Sequence, residues 1–210
     1  MRKIIPQKRL CYFVTATNTD VGKTYVAQKL LQKYAKEGFR VGYYKPIETG
    51  VQDNNPLDGS SMLRLVRELN PDFCLNIEDV VPYRFALPAA PYTASNGVNI
   101  DIDFLIKQKD YLQNFCDVLI IEGAGGLMVP VKKDIFMIDL IKLFETPAVL
   151  VTPSNLGCIN DTLLSIKALK DYGIKYEWYV NLYRDKESFY DVSYPFLKDY
   201  FCEIKFVNDI

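Results

Sequence analysis

Two lysines, a threonine and two carboxylates are the residues whose surroundings could do chemistry. Lys23 and Thr24 follow Gly22 at the end of Ala16-Thr17-Asn18-Thr19-Asp20-Val21-Gly22-Lys23-Thr24. An apolar run, Leu10 to Val14, precedes that stretch, and Val26, Leu30, Leu31 and Tyr34 follow it at helical spacing. Strand, tight loop and helix in that order form the setting of a phosphate-binding loop. Backbone N–H groups converge on an anion, the helix N-terminus adds its dipole, and a lysine reaches the terminal phosphates. Thr24 then stands where a hydroxyl can hold Mg²⁺. The pattern G-x-x-x-x-G-K-[ST] would put its first glycine at position 17, which is Thr17; the small residue is Ala16, so the loop is one residue longer. A capping turn that happens to contain Gly-Lys-Thr also fits the triplet alone, and the flanking strand and helix favour the phosphate loop.

Glu122 ends the apolar run Val118-Leu119-Ile120-Ile121 and opens Gly123-Ala124-Gly125-Gly126. An acidic residue at the end of a buried strand is the usual second half of a nucleotide site, held to Mg²⁺ directly or through water. The glycines let backbone approach an anionic ligand. Lys45 lies in Lys45-Pro46-Ile47-Glu48-Thr49-Gly50, just past the strand Val41–Tyr44. Open parallel sheets place ligands at such strand ends; a solvated loop lysine and a second cation at the phosphate site both fit Lys45. Asp58 precedes a helical run with Met62, Leu65, Val66 and Leu69; it is a candidate N-cap, and capping alone could explain it. Thr152 to Asp161 opens another helix, whose free N–H groups could bind a carboxylate or be ordinary caps.

The elements that must position these residues alternate. Strands are expected at Leu10–Val14, Val41–Tyr44, Val118–Ile121, Ala148–Val151, Lys175–Val180 and, at an edge, Glu203–Val207. Helices are expected at Tyr25–Tyr34, Ser60–Leu69, Asp101–Phe115, Ile135–Phe144, through Lys170 after the Thr152–Asp161 opening, and at 188–200. Pro82 to Asn99, with Pro82, Pro88 and Pro91 among Tyr83, Phe85 and Tyr92, reads as an ordered loop without a regular element that could line a pocket. Continuous apolar strands alternating with helices predict a single α/β domain over residues 1–210, doubly wound, with a mostly parallel sheet covered by helices on both faces.

At 210 residues the chain has room for one good-sized domain. Lys+Arg 25 against Asp+Glu 26 leaves a formal charge of −1, which gives no electrostatic case for nucleic acid or an anionic membrane as partner. Five cysteines without a C-x-x-C pair read as reduced core thiols of a cytoplasmic protein. The basic N-terminus has no apolar run behind it of the kind a signal peptide needs, and no stretch approaches the apolar length of a membrane span. Histidine is absent, so chemistry has to run on lysine, carboxylate, hydroxyl and backbone N–H.

Taken together, these motifs resemble the dethiobiotin synthetase family, ATP-dependent P-loop enzymes of biotin synthesis. The resemblance is carried by Ala16 to Thr24, by Gly42-Tyr-Tyr-Lys-Pro-Ile-Glu-Thr-Gly50 and by Glu122 to Gly126. Pro82-Tyr83, Pro88, Pro91, Leu156-Gly-Cys-Ile-Asn160 and Asn181 add to it, in the family's order. The longer loop is itself the family's form. The resemblance implies a nucleotide site of Asp20, Val21, Gly22, Lys23, Thr24, Tyr25, Asp58, Glu122, Gly123, Ala124, Gly125, Asn181 and Leu182, with Asn181 reading the adenine edge. It makes Thr24, Asp58 and Glu122 the Mg²⁺ ligands and Lys45, with Lys23, the catalytic cations. Thr49 would face the diamine, and Gly157, Cys158, Ile159 and Asn160 would bind its distal carboxylate across a homodimer interface. The implied reaction joins 7,8-diaminopelargonate and CO₂ or bicarbonate at the expense of ATP, through a carbamate and a carbamic–phosphoric anhydride, to dethiobiotin. Lys45→Ala is then expected to cut turnover by orders of magnitude while the fold survives. The chain is short after Glu203 where the family often carries a proline-containing stretch beside the base. The competing reading is a partition or metal-insertion ATPase of the same branch; many of those carry a second loop lysine where this chain has Asn18.

Overall fold

The computed structural model describes residues 9–210; the expected lack of a signal sequence concerns a segment that lies largely outside them. The first strand, β1 (Leu10–Ala16), leads through the glycine turn into α1 (Lys23–Lys36), then β2 (Val41–Tyr44) and a short β3 (Ile47–Thr49). The helices α2 (Leu57–Leu69) and α3 (Ile77–Val80) precede β4 (Tyr83–Phe85), α4 (Pro91–Ala94) and α5 (Ile102–Leu112). A long β5 (Val118–Gly126) is followed by the hairpin β6 (Pro130–Lys132) and β7 (Ile135–Phe136), then α6 (Met137–Leu143) and β8 (Ala148–Pro153). Next come α7 (Cys158–Asp171), β9 (Tyr176–Asn181), α8 (Lys186–Val192), α9 (Tyr194–Tyr200) and β10 (Lys205–Phe206).

Six strands form one sheet in the order β10-β9-β8-β1-β5-β2, and each neighbouring pair is parallel. Successive residues of a strand point to opposite faces. Phe13, Val14, Thr15 and Ala16 are all buried, as are Val118 to Ile121, so both faces are covered. This is the expected α/β architecture. From β1 the chain crosses β5 to reach β2, comes back to β5, and then crosses β1 to β8 on the other side, so the winding reverses around β1 and leaves a crevice outside its C-terminal end.

Local differences from the sequence reading have physical causes. The Pro82–Asn99 segment holds two regular pieces: β4 pairs in parallel with β3, Ile47 opposite Tyr83 and Thr49 opposite Phe85, and α4 starts on Pro91 at its first turn. Proline is welcome there because the first helical N–H has no partner to lose. The expected helix 188–200 is two helices broken at Ser193, two residues before Pro195, which cannot continue the hydrogen-bond ladder. Ile135 and Phe136 belong to the hairpin, and the helix starts at Met137. The glycines after Glu122 continue β5 with a register shift against β1 between Val14 and Ala16. All five cysteines are free thiols, but Cys74 and Cys202 are exposed rather than in the core.

Candidate active site

The phosphate loop is assembled by close backbone contact. Gly22 sits at φ +101°, a left-handed conformation that side chains rarely adopt, and a Cβ there would lie 2.4 Å from Asn181 Nδ2. A Cβ on Gly126 would meet Thr17 O at 2.8 Å, so β5 can pass under the loop only as glycine. The first turn of α1 contains no acidic residue and no side chain caps it. Its leading N–H groups therefore face the crevice without an intrahelical acceptor. Lys23 Nζ donates to Asn18 O inside the loop at 3.2 Å. Burial pushes the Lys23 ammonium below the ordinary lysine range, and Glu122 offsets this only in part.

Glu122, 1% exposed, is the hub. Its Oε1 accepts from Thr24 Oγ1 and from Lys45 Nζ, each at 2.8 Å, and its Oε2 accepts from the Tyr43 hydroxyl at 2.8 Å. The register explains the meeting: Val14 lies opposite Glu122 and Tyr44 opposite Ile121, so the ends of β1, β5 and β2 open onto one point. Burial and the neighbouring Glu122 hold the Tyr43 phenol well above its usual range, which keeps it a donor. Lys45, also buried, makes a second ion pair to Asp58 Oδ2 at 2.8 Å. Burial opposes its charge, but Glu122 and Asp58 together outweigh that and hold the ammonium above the ordinary lysine range. Asp58 is not the cap of α2: Pro56 holds that position, and Asp58 lies inside the first turn with its carboxylate on Lys45.

The family model described as an AAA domain matches residues 11–178. An ATP-dependent dethiobiotin synthetase of Sulfurovum sp. (strain NBC37-1) is 52% identical over 185 residues, covering 88% of each chain. One from Wolinella succinogenes is 40% identical over 190 residues, covering 89% of this chain and 88% of the relative. The chain belongs to the dethiobiotin synthetase family. A ParA family ATPase from Chlorobium tepidum superposes with a TM-score of 0.56 at 14% identity, over 94% of this chain and 82% of that one, a likeness of fold alone.

For a dethiobiotin synthetase, the positions singled out by sequence fall into two groups. A cleft of about 1070 Å³ is lined by Asp20, Gly22, Lys23, Thr24, Tyr25, Lys45, Thr49, Asp58, Glu122, Gly123, Ala124, Gly125, Asn181 and Leu182. Val21 is buried behind the loop rather than in the wall. Pro88, Ala89, Ala90 and Pro91 close the far side, so the proline-rich segment does line the pocket. Gly157, Cys158, Ile159 and Asn160 stand apart from this cleft, at the start of α7, with Gly157 at φ +95°. Asn181 Nδ2 donates to Val21 O at 2.9 Å and the Tyr183 hydroxyl donates to Asp20 O, so the end of β9 grips the loop at consecutive carbonyls.

Sequence reasoning missed Tyr43, Glu48 and Tyr183. Tyr43 reads as one more core aromatic in a buried strand, because its partner Glu122 is 79 positions away. Tyr183 had a usable signal, since it follows Asn181 by two. Glu48 stood inside a noted motif, but its partners, the N–H groups of Asp58 and Gly59, are visible only in three dimensions. Burial pushes the Glu48 carboxyl up, and Lys45 and the two N–H groups pull it back part of the way.

The donors near Thr24 are hard oxygens: a hydroxyl and the carboxylates of Glu122 and Asp58. That set suits Mg²⁺, which keeps part of its shell for water and phosphate. Among the described residues no cluster of three or more His, Cys, Asp or Glu could hold an ion on protein ligands alone.

Proposed function

We propose that the chain is an ATP-dependent dethiobiotin synthase, a cytoplasmic homodimer that closes the ureido ring of 7,8-diaminopelargonate with CO₂. The observation that carries the reading is the buried Lys45, paired at 2.8 Å with both Glu122 and Asp58 beside the Lys23–Thr24 end of the phosphate loop. A nucleotide's phosphates lie along the N–H groups of Asp20 to Tyr25 and against Lys23. Thr24, Glu122 and Asp58 would hold Mg²⁺, which supplies charge neutralisation on the phosphates. Asn181 spends its amide donor on Val21 O, which leaves Oδ1 to accept from the amino group of adenine; Leu182 packs at the same end.

In this reading one substrate amine takes up CO₂, and the carbamate oxygen attacks the γ-phosphorus as ADP leaves. The second amine then attacks the carbonyl carbon and expels phosphate. Phosphoryl transfer asks the protein for alignment and charge neutralisation more than for covalent help. Lys45 and Lys23 provide two fixed cations, and Thr49 offers a hydroxyl toward the diamine. Gly157 to Asn160, away from this cleft, would bind the distal carboxylate of a partner subunit's substrate at the start of α7, through backbone N–H groups other than that of Cys158, which donates to Asn155 O. The switch-ATPase reading gains nothing beyond the fold, and Asn18 stands where its extra lysine would be. Turnover with ¹³C-bicarbonate tests the proposal: label has to appear in the ureido carbon of dethiobiotin, one per ADP formed. ADP formation without labelled product would refute it.

A further inference from the structure

We propose that Glu48 is a positioning residue, which caps α2 from outside and thereby aims Asp58 at Lys45. The inference rests on the proposed synthase reading for its catalytic consequence, but its geometry stands by itself. Glu48 is 7% exposed. Its Oε1 accepts from Asp58 N at 3.2 Å and its Oε2 from Gly59 N at 2.9 Å. Those residues are in the first turn of α2, where N–H groups have no intrahelical acceptor. Pro56, at the cap position, has no side chain able to accept, and no side-chain cap is made from within the helix. A carboxylate from β3 does that work instead.

Two consequences follow from this arrangement. Asp58 is released from capping, so its carboxylate is free to pair with Lys45 at 2.8 Å although Asp58 itself is half exposed on the cleft wall. An exposed carboxylate normally gains little from an ion pair and wanders among rotamers; a fixed backbone restricts where it can go. Lys45 and Glu48 are three residues apart, Lys45 just past β2 and Glu48 within β3, which is locked by its ladder to β4 with Glu48 opposite Arg84. One short segment, Lys45 to Glu48, thus presents both the cation and the group that steers the cation's partner. Both carboxylate oxygens are needed, because each accepts one N–H.

Glu48→Gln keeps one acceptor and puts an amide donor against the second N–H. The test is amide hydrogen exchange at Asp58 and Gly59, read beside a double-mutant cycle with Asp58→Asn in which turnover is measured. Expected in Glu48→Gln are exchange at one or both amides faster by about tenfold and turnover lower by about tenfold, the scale of one charge-assisted hydrogen bond. In the Asp58→Asn background the same change should cost less than about twofold, because its target is already gone. Glu48→Asp, which keeps the charge but shortens the reach by a methylene, is read in parallel, so a folding failure of one variant leaves the comparison intact. Unchanged exchange, or the same tenfold loss with and without Asp58, overturns the proposal. If the wild-type chain makes no dethiobiotin, the synthase reading falls and the exchange result still decides the capping role.

Discussion

Glu122 holds three donors at once, and this decides what substitutions around it do. Lys45→Ala removes a fixed cation, and losing one such electrostatic contact costs about 3–4 kcal/mol of barrier, or a turnover loss of about 10²–10³. The structure adds a cost that the sequence did not announce. Glu122 is 1% exposed, and breaking a buried pair from one side costs about 3–5 kcal/mol. Urea unfolding should therefore show a folded but clearly less stable Lys45→Ala protein, with Thr24 and Tyr43 still donating to Glu122. Tyr43→Phe is the milder case: one buried oxygen loses its donor, at about 1–3 kcal/mol of stability, and the same titration reads it. The two lysines should separate in pH. Lys23 has its ammonium pushed down by burial, so its charge is lost earlier as pH rises. The alkaline limb of kcat/KM for ATP, which reports the free enzyme, should fall below the ordinary lysine range. Lys45 is held above that range, so its pairing contributes stability that is intact at neutral pH and goes only as pH rises beyond the usual lysine value. An alkaline limb at or above the ordinary lysine range would contradict the assignment of Lys23.

At the scale of elements, the site is a junction of strand ends. The phosphate loop was legible in sequence because its residues are contiguous and its flanks are a plain strand and a plain helix. The Glu122 hub was half legible. Glu122 and Lys45 end recognisable strands, but Tyr43 joins them through sheet register, which no local pattern encodes. The β3–β4 ladder stayed hidden for the same reason, as three residues pair with three others 36 positions on. The break between α8 and α9 had a signal in Pro195 that helical spacing alone overrode. Where β5 passes the loop, Gly126→Ala pushes a methyl group against Thr17 O. Since backbone cannot rotate away as a side chain can, this should weaken ATP binding and cost about 1–3 kcal/mol of stability. Calorimetric titration with an ATP analogue and thermal unfolding check both; wild-type affinity would mean that the loop is not held by this contact.

For the molecule as a whole, the sheet order was readable as a class and not as an arrangement. Apolar strands alternating with helices gave a parallel sheet, while the position of β1 between β5 and β8, which creates the crevice, depends on long-range pairing. The start of α7 lies apart from the cleft, with Leu156 at 79% and Leu164 at 61% exposure beside the Gly157–Asn160 turn. If these cover one another in a homodimer, Leu164→Glu should yield monomers in light scattering and raise KM for the diamine while leaving nucleotide affinity unchanged. A Leu164→Glu protein that stays dimeric would move the interface elsewhere. The central claim is that this cleft spends ATP only on a carbamylated diamine. The most direct measurement is phosphate release from MgATP with 7,8-diaminopelargonate and bicarbonate, each omitted in turn. Release that requires both is the predicted result; release indifferent to the diamine would contradict the account.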